Sequence, residues 1–228
     1  MSVSLQLQEV RQRLANACAS SGRPTDDVML LAVSKTKPLS MVLEAYEHGQ
    51  RHFGENYLQD ALEKIEANPH DDIVWHFIGA IQSNKTKTIA ENFAWVHTLE
   101  REKIAKRLND QRPAHLPPLK VCIQVNISEE IAKSGVSLAE LPALAAKIDA
   151  LPNLELVGLM CIPAANQPED IQSQAFEGMV TARDQLQEKH PQLTELSMGM
   201  SGDLDLAIAH GTTMVRIGTD IFGARAAK

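Results

Sequence analysis

The feature that most restricts this chain is an alternation running almost its whole length. Apolar runs of strand length recur at 29–34, 51–54, 74–79, 94–99, 119–127, 154–160, 193–198 and 213–217, with stretches of about helix length between them. A short continuous apolar run reads as a strand covered on both faces, and strands that alternate with helices pair in parallel because each connection must cross back over the sheet. One helical stretch carries Leu138, Leu141, Leu144, Ile148 and Leu151 along a single face, and another carries Phe176, Met179, Val180 and Leu186. Ahead of the first strand, Leu7, Val10, Leu14 and Ala17 are spaced for a further helix that Gly22 and Pro24 close. Eight strand–helix units in about 200 residues predict an α/β fold, a closed (β/α)8 TIM barrel with an extra N-terminal helix. A doubly wound open sheet has the same local pattern and is the alternative. The count of eight leans most on the second and seventh runs, whose strand character is weakest.

No composition shift, long Pro/Gly/Ser linker, internal repeat or low-complexity tract divides the chain, so one domain over residues 1–228 is expected. The proline-bearing stretch 113–118 is short enough to be an ordinary helix-to-strand loop. With 44% hydrophobic residues, the chain can bury a sizeable core. Its 22 basic and 29 acidic side chains leave a net charge of -7, which argues against bulk attraction to nucleic acid or an anionic membrane, though not against a local basic site. Cys18, Cys122 and Cys161 are an odd, scattered set without a C-x-x-C, so neither a disulfide framework nor a zinc site is implied. The N-terminus lacks an apolar signal core and no run reaches bilayer length, so a cytoplasmic protein is expected.

In a barrel of this kind function gathers at the C-terminal ends of the strands. The first strand, within LLAVSKTKP at 30–38, places Lys35 just past its apolar residues. A lysine there can reach into a low-dielectric barrel mouth, where burial favours the neutral, nucleophilic amine. The bland alternative is a solvated lysine at a strand end. After the seventh and eighth strands come SMGMSGD at 197–203 and RIGTD at 216–220, two small glycine-bearing turns that lead into helical sequence. Such turns expose backbone N–H groups to an anion, and barrels often build a phosphate site in these two loops. Ser201 and Thr219 would add hydroxyls, although ordinary helix capping uses the same residues. Arg216 interrupts an apolar strand, so it is either ion-paired or aimed at a ligand. Together these features suit a phosphorylated carbonyl compound. Both pyridoxal 5'-phosphate (PLP) and a sugar-phosphate substrate of a Schiff-base aldolase answer to that description.

LLAVSKTKP, HFGENY at 52–57, WHFIGAIQSNK at 75–85, NISEEIAKSG at 126–135, GLMCIP at 158–163, LSMGMSGD at 196–203 and VRIGTDIFGAR at 215–225 span nearly the whole chain. In this order they resemble the YggS/PROSC family of PLP homeostasis proteins, related in fold to the barrel domain of bacterial alanine racemase. The resemblance implies that Lys35 holds PLP as a Schiff base. It also implies that Ser201, Gly218 and Thr219 hold the phosphate and that Arg216 faces the pyridine nitrogen. Asn56 is implied to line the cofactor, with Met200 and His76 nearby. For these three the bland readings are a helix-cap asparagine, a packing methionine and a hydrogen-bonded core histidine. The chain departs from typical relatives at Gly202, where they carry an acidic residue. It also ends at Lys228 without the β-rich second domain that helps close the active site of alanine racemase.

Two functions follow from the resemblance. One is a PLP carrier that buffers or delivers the cofactor, passing it transiently to PLP-dependent apo-enzymes and so affecting amino-acid and keto-acid balance. The other is a PLP-dependent racemase or lyase. Racemisation needs an acid/base on each face of a planar carbanion, and only Tyr46 and Tyr57 are available as tyrosines to oppose Lys35. An arginine at the pyridine nitrogen also disfavours its protonation and weakens the ring as an electron sink. The carrier is the favoured expectation, as a monomer. Lys133, after the fifth strand, is a candidate second acceptor for PLP in transit.

Overall fold

The computed structural model describes residues 2–128, 134–164 and 167–224. Its eight strands are β1 (Met29–Val33), β2 (His52–Glu55), β3 (Val74–Phe77), β4 (Trp95–Leu99), β5 (Leu119–Gln124), β6 (Leu154–Met160), β7 (Glu195–Ser197) and β8 (Met214–Ile217). They pair in parallel in chain order, and β1 pairs with β8 through Met29–Met214 to Ala32–Ile217, so the barrel closes and an open sheet is excluded. The second and seventh strands are both present. The former lies one residue later than expected, and the latter shrinks to three residues joined to β8 by the single pair Ser197–Met214.

The outer layer consists of α1 (Val3–Ser20), α2 (Leu39–Glu47), α3 (Leu58–Ala67), α4 (Thr86–Asn92), α5 (Glu102–Gln111), α6 (Leu141–Asp149), α7 (Glu169–Gln187), α8 (Leu204–Ala209) and α9 (Thr219–Phe222). The expected helix at 138–151 is shorter in fact, because Leu138 lies ahead of α6 with 41% of its surface exposed. In α1, Leu7, Val10, Leu14 and Ala17 are all buried, and the helix packs on α2, α8 and α9. Gly22 follows at φ +65°, a left-handed conformation that glycine adopts without steric cost. Among the described residues no helix is long and apolar enough to cross a membrane.

Two apolar layers follow from the pleat of the strands. Leu31, Trp95, Cys122, Val157, Met160 and Met214 fill the barrel interior, while alternate residues such as Ala32, Phe53, Val121 and Val215 pack outward under the helices. All three cysteines are buried free thiols, and burial raises the pKa of each.

Candidate cofactor site

At the C-terminal mouth of the barrel lies a cavity of about 270 Å³, just below the usual range for ligand sites. Lys35, Asn56, Met200, Ser201, Arg216, Gly218 and Thr219 all line it, together with Val33, Ile162 and Gly202. Residues scattered from 35 to 219 therefore meet in one place. The pleat explains Lys35: side chains alternate along a strand, so Leu31, Val33 and Lys35 share the inner face while Ser34 turns outward beneath α3. Asn56 follows β2, and its backbone lies where Gly79 has no side chain; a Cβ at Gly79 would meet Asn56 O at 2.1 Å.

The two glycine-bearing turns lie side by side after β7 and β8. The Ser201 turn is closed by Asp203, whose Oδ1 accepts from Met200 N instead of capping α8, which begins at Leu204. Gly218 precedes α9, and a Cβ there would stand 3.2 Å from Val33 O. At Gly202 a Cβ would meet nothing within 4 Å, so the departure from the family pattern is sterically neutral. The extra helix α1 braces both turns, with Arg13 donating to Ser201 O at 2.7 Å and to Asp205 and lying 3.7 Å from Asp220.

Of the two expectations for Arg216, an ion pair or a ligand, the residue lines the cavity, and its hydrogen bonds among the described residues go to uncharged acceptors. Its guanidinium is buried in neutral acceptors, with Nη1 donating to Ser197 O (2.6 Å) and Ser197 Oγ (2.9 Å), and Nη2 to Cys161 O (2.9 Å). Burial lowers its pKa from the usual arginine value. A cation thus sits at the cavity wall, fixed by two backbone carbonyls and a hydroxyl, with the Asp203 carboxylate partly offsetting the cost of its burial.

His76 does not line the cavity. It is a core histidine, in a hydrogen-bonded line through the barrel interior: His52 Nδ1 to His76 Nε2 (2.9 Å), His76 Nδ1 to His97 Nε2 (2.9 Å), and His97 Nδ1 to Ser197 Oγ (2.8 Å). Ser197 then joins the line to Arg216. Arg216 can only donate, so the arrangement that gives every proton an acceptor has Ser197 donating to His97, and each histidine passing its Nε2 proton outward. Burial lowers the pKa of all three imidazoles, His97 to about 3, so the line is neutral at physiological pH. The sequence carries a signal for it that no single position shows: three successive strands each contain a histidine.

Neither tyrosine reaches the cavity. Tyr46 bonds Asp72 at 2.7 Å beside Arg51, at the opposite end of the barrel, and that bond raises its pKa. Tyr57 is exposed and lines a neighbouring cavity with Leu62, Phe77 and Lys85. Lys133 lies outside the described residues.

A buried polar cluster was also missed. Lys64 of α3 donates to Glu55 Oε1 (2.7 Å), Asp60 Oδ2 (2.9 Å) and Ser34 O (2.9 Å). Ser34 Oγ adds a bond to Glu55 Oε1 at 2.6 Å. Burial pushes the Glu55 carboxyl up, and Lys64 and Ser34 pull it back. Thr36 is held at φ +63°, a conformation that costs a β-branched residue of order 1–3 kcal/mol.

The donor set fits a phosphorylated aldehyde. An amine, two hydroxyls and a short helix N-terminus converge on a cavity with a cationic wall, and Asn56 Oδ1 is buried without a partner among the described residues. Fold and site together define a barrel built to hold a small phosphorylated carbonyl compound. The family model described as "Alanine racemase, N-terminal domain" matches residues 5–226. The pyridoxal phosphate homeostasis protein of Vibrio alginolyticus is 50% identical over 228 residues, covering 98% of each chain. That of Escherichia coli is 51% identical over 222 residues, covering 96% of this chain and 95% of its own. The structure of PipY from Synechococcus elongatus with PLP bound is 36% identical with a TM-score of 0.81, covering 92% of this chain and 100% of that one. This chain belongs to the pyridoxal phosphate homeostasis protein family.

Proposed function

We propose that this protein binds PLP at the barrel mouth as a Schiff base on Lys35 and buffers or delivers it, with indirect effects on amino-acid and keto-acid balance. The observation that carries the reading is the convergence of the Lys35 amine with Ser201, Gly218 and Thr219 around one small cavity. When bound, PLP supplies an aldehyde for the amine and an electron-withdrawing ring. Lys35 holds the aldehyde carbon. The hydroxyls of Ser201 and Thr219 and the backbone at Gly218 take the phosphate. Arg216, anchored by its three acceptors, would disfavour a proton on a ring nitrogen placed against it. Asn56 offers its unpartnered oxygen and Met200 covers the apolar side. The absence of a tyrosine from this cavity, among the described residues, supports a carrier over a racemase.

In this reading residues 1–228 form one barrel domain of a cytoplasmic monomer that passes PLP transiently to apo-enzymes, with neither nucleic acid nor membrane as a partner. Titration of the purified protein with PLP, followed by borohydride reduction and peptide mass spectrometry, tests the anchor. Wild type gains the visible absorbance of an imine, which reduction bleaches while leaving a phosphopyridoxyl group on Lys35, and Lys35→Ala gives neither signal. Fixation at another lysine in wild type would overturn the assignment. Lys35-dependent racemisation or elimination on a panel of amino acids would overturn the carrier reading.

A further inference from the structure

We infer that Lys64 is a positioning residue for Lys35: its buried ammonium, bonded to Ser34, Glu55 and Asp60, clamps the backbone on both sides of Lys35 and sets where that amine meets an aldehyde in the cavity. This rests on Lys35 being the cofactor anchor.

Lys64 has three N–H donors, and all three are used, on Ser34 O, Glu55 Oε1 and Asp60 Oδ2. Ser34, the residue before Lys35, is held twice, by its carbonyl on Lys64 and by its hydroxyl on Glu55. Thr36, the residue after it, donates its backbone N–H to Asp60 Oδ2 at 3.1 Å. Three of the five bonds in the cluster therefore end on the two neighbours of Lys35. An ion pair that merely fastened α3 to β2 would not need them. Lys64 and Glu55 are 4% and 0% exposed, so water does not compete for the bond between them, while Asp60, at 37%, carries the clamp out to the surface. The left-handed Thr36 shows what the clamp opposes: a β-branched residue leaves that conformation unless its surroundings fix it. Because Ser34 turns outward and Lys35 inward, the cluster grips the segment from behind and leaves the cavity side to the amine.

The test separates placement of the amine from binding of the ring. Pyridoxine 5'-phosphate has no aldehyde, so its affinity reports the cavity alone, whereas stopped-flow absorbance with PLP reports imine formation at Lys35. Lys64→Met removes the hub. Asp60→Ala removes the Thr36 acceptor from a side chain that is 37% exposed, which spares the fold if Lys64→Met does not. Both variants should slow imine formation roughly 10- to 100-fold, the effect of an approximately 1 Å misplacement, while changing pyridoxine 5'-phosphate affinity less than about twofold. Amide hydrogen exchange at residues 34–37, measured without any ligand, should accelerate at least about tenfold in both. Unchanged imine kinetics in a folded variant, or unchanged exchange, overturns the clamp and leaves the anchor standing. If wild type forms no imine at Lys35, the anchor reading fails instead, and the exchange measurement alone decides whether the segment is clamped.

Discussion

The cavity is held from two sides by devices of opposite character. On the β1–β2 side, Lys35 sits in a segment gripped by the Lys64, Glu55 and Asp60 cluster, with Lys64 and Glu55 fully desolvated. On the β7–β8 side, the turns carrying Ser201 and Thr219 are braced from outside by Arg13 of α1, whose side chain is 38% exposed, as is that of Asp220. A covalent anchor needs its amine in one place, and a buried, donor-saturated ammonium restricts the chain on the scale of a bond. A phosphate tolerates more play, since several backbone and hydroxyl donors share it. The water-facing brace therefore suits a site that must also release its ligand.

The largest effect expected from this contrast is on stability. Lys64→Met leaves the Glu55 carboxylate buried without its main partner, which should cost about 3–5 kcal/mol in urea unfolding. Raising the salt to 1 M should barely change that loss, because a buried pair is poorly screened. A loss under about 1 kcal/mol would mean that the cluster is wetter than its geometry implies, and the contrast between the two sides would disappear.

The histidine line spans the interior between these sides, from β2 to Arg216 on β8, and it makes the fold acid-sensitive. Folded His97 has its pKa lowered to about 3 from 6.5, so unfolding takes up a proton between those values. Its contribution is fully present above pH 6.5 and is lost as pH falls towards the folded value. His97→Gln should therefore flatten the fall in stability below pH 6.5 by about 1.4 kcal/mol per pH unit. The comparison requires urea melts of both proteins between pH 7.5 and 5. Parallel curves would show that His97 titrates alike in the folded and unfolded chain, without the lowered folded pKa.

The barrel was legible because buried strands and amphipathic helices leave different periods in the sequence, and even the weak runs at 51–54 and 193–198 sit at β2 and β7. Lys35, Ser201, Gly218 and Thr219 could be selected because a barrel assigns chemistry to strand ends, and all four line one cavity. What escaped notice was support at a distance. Asp60 and Lys64 have the i,i+4 spacing of an ordinary solvated helix pair, and nothing local shows that Lys64 points inward beneath Ser34. Arg216 was recognised as a charge in an apolar strand, but its partners are the carbonyls of Ser197 and Cys161, and carbonyls have no residue type to read. His76 became intelligible only once β2, β3 and β4 lay side by side with His52 and His97 in line.

The smallest effect lies on the exposed side, and it distinguishes a brace from a clamp. Arg13→Ala removes bonds to Ser201 O and Asp205 and the approach to Asp220, all in contact with water. Exposed pairs contribute about 0–1 kcal/mol, so the stability loss should fall in that range and shrink further at 1 M salt, where charges more than about 3 Å apart are screened. The informative readout is kinetic. If α1 steadies the phosphate turns, PLP should leave Arg13→Ala severalfold faster than wild type, while imine formation at Lys35 keeps its rate. A slowed imine step would place Arg13 in the same cooperative unit as Lys64, and the two sides would then act as one device.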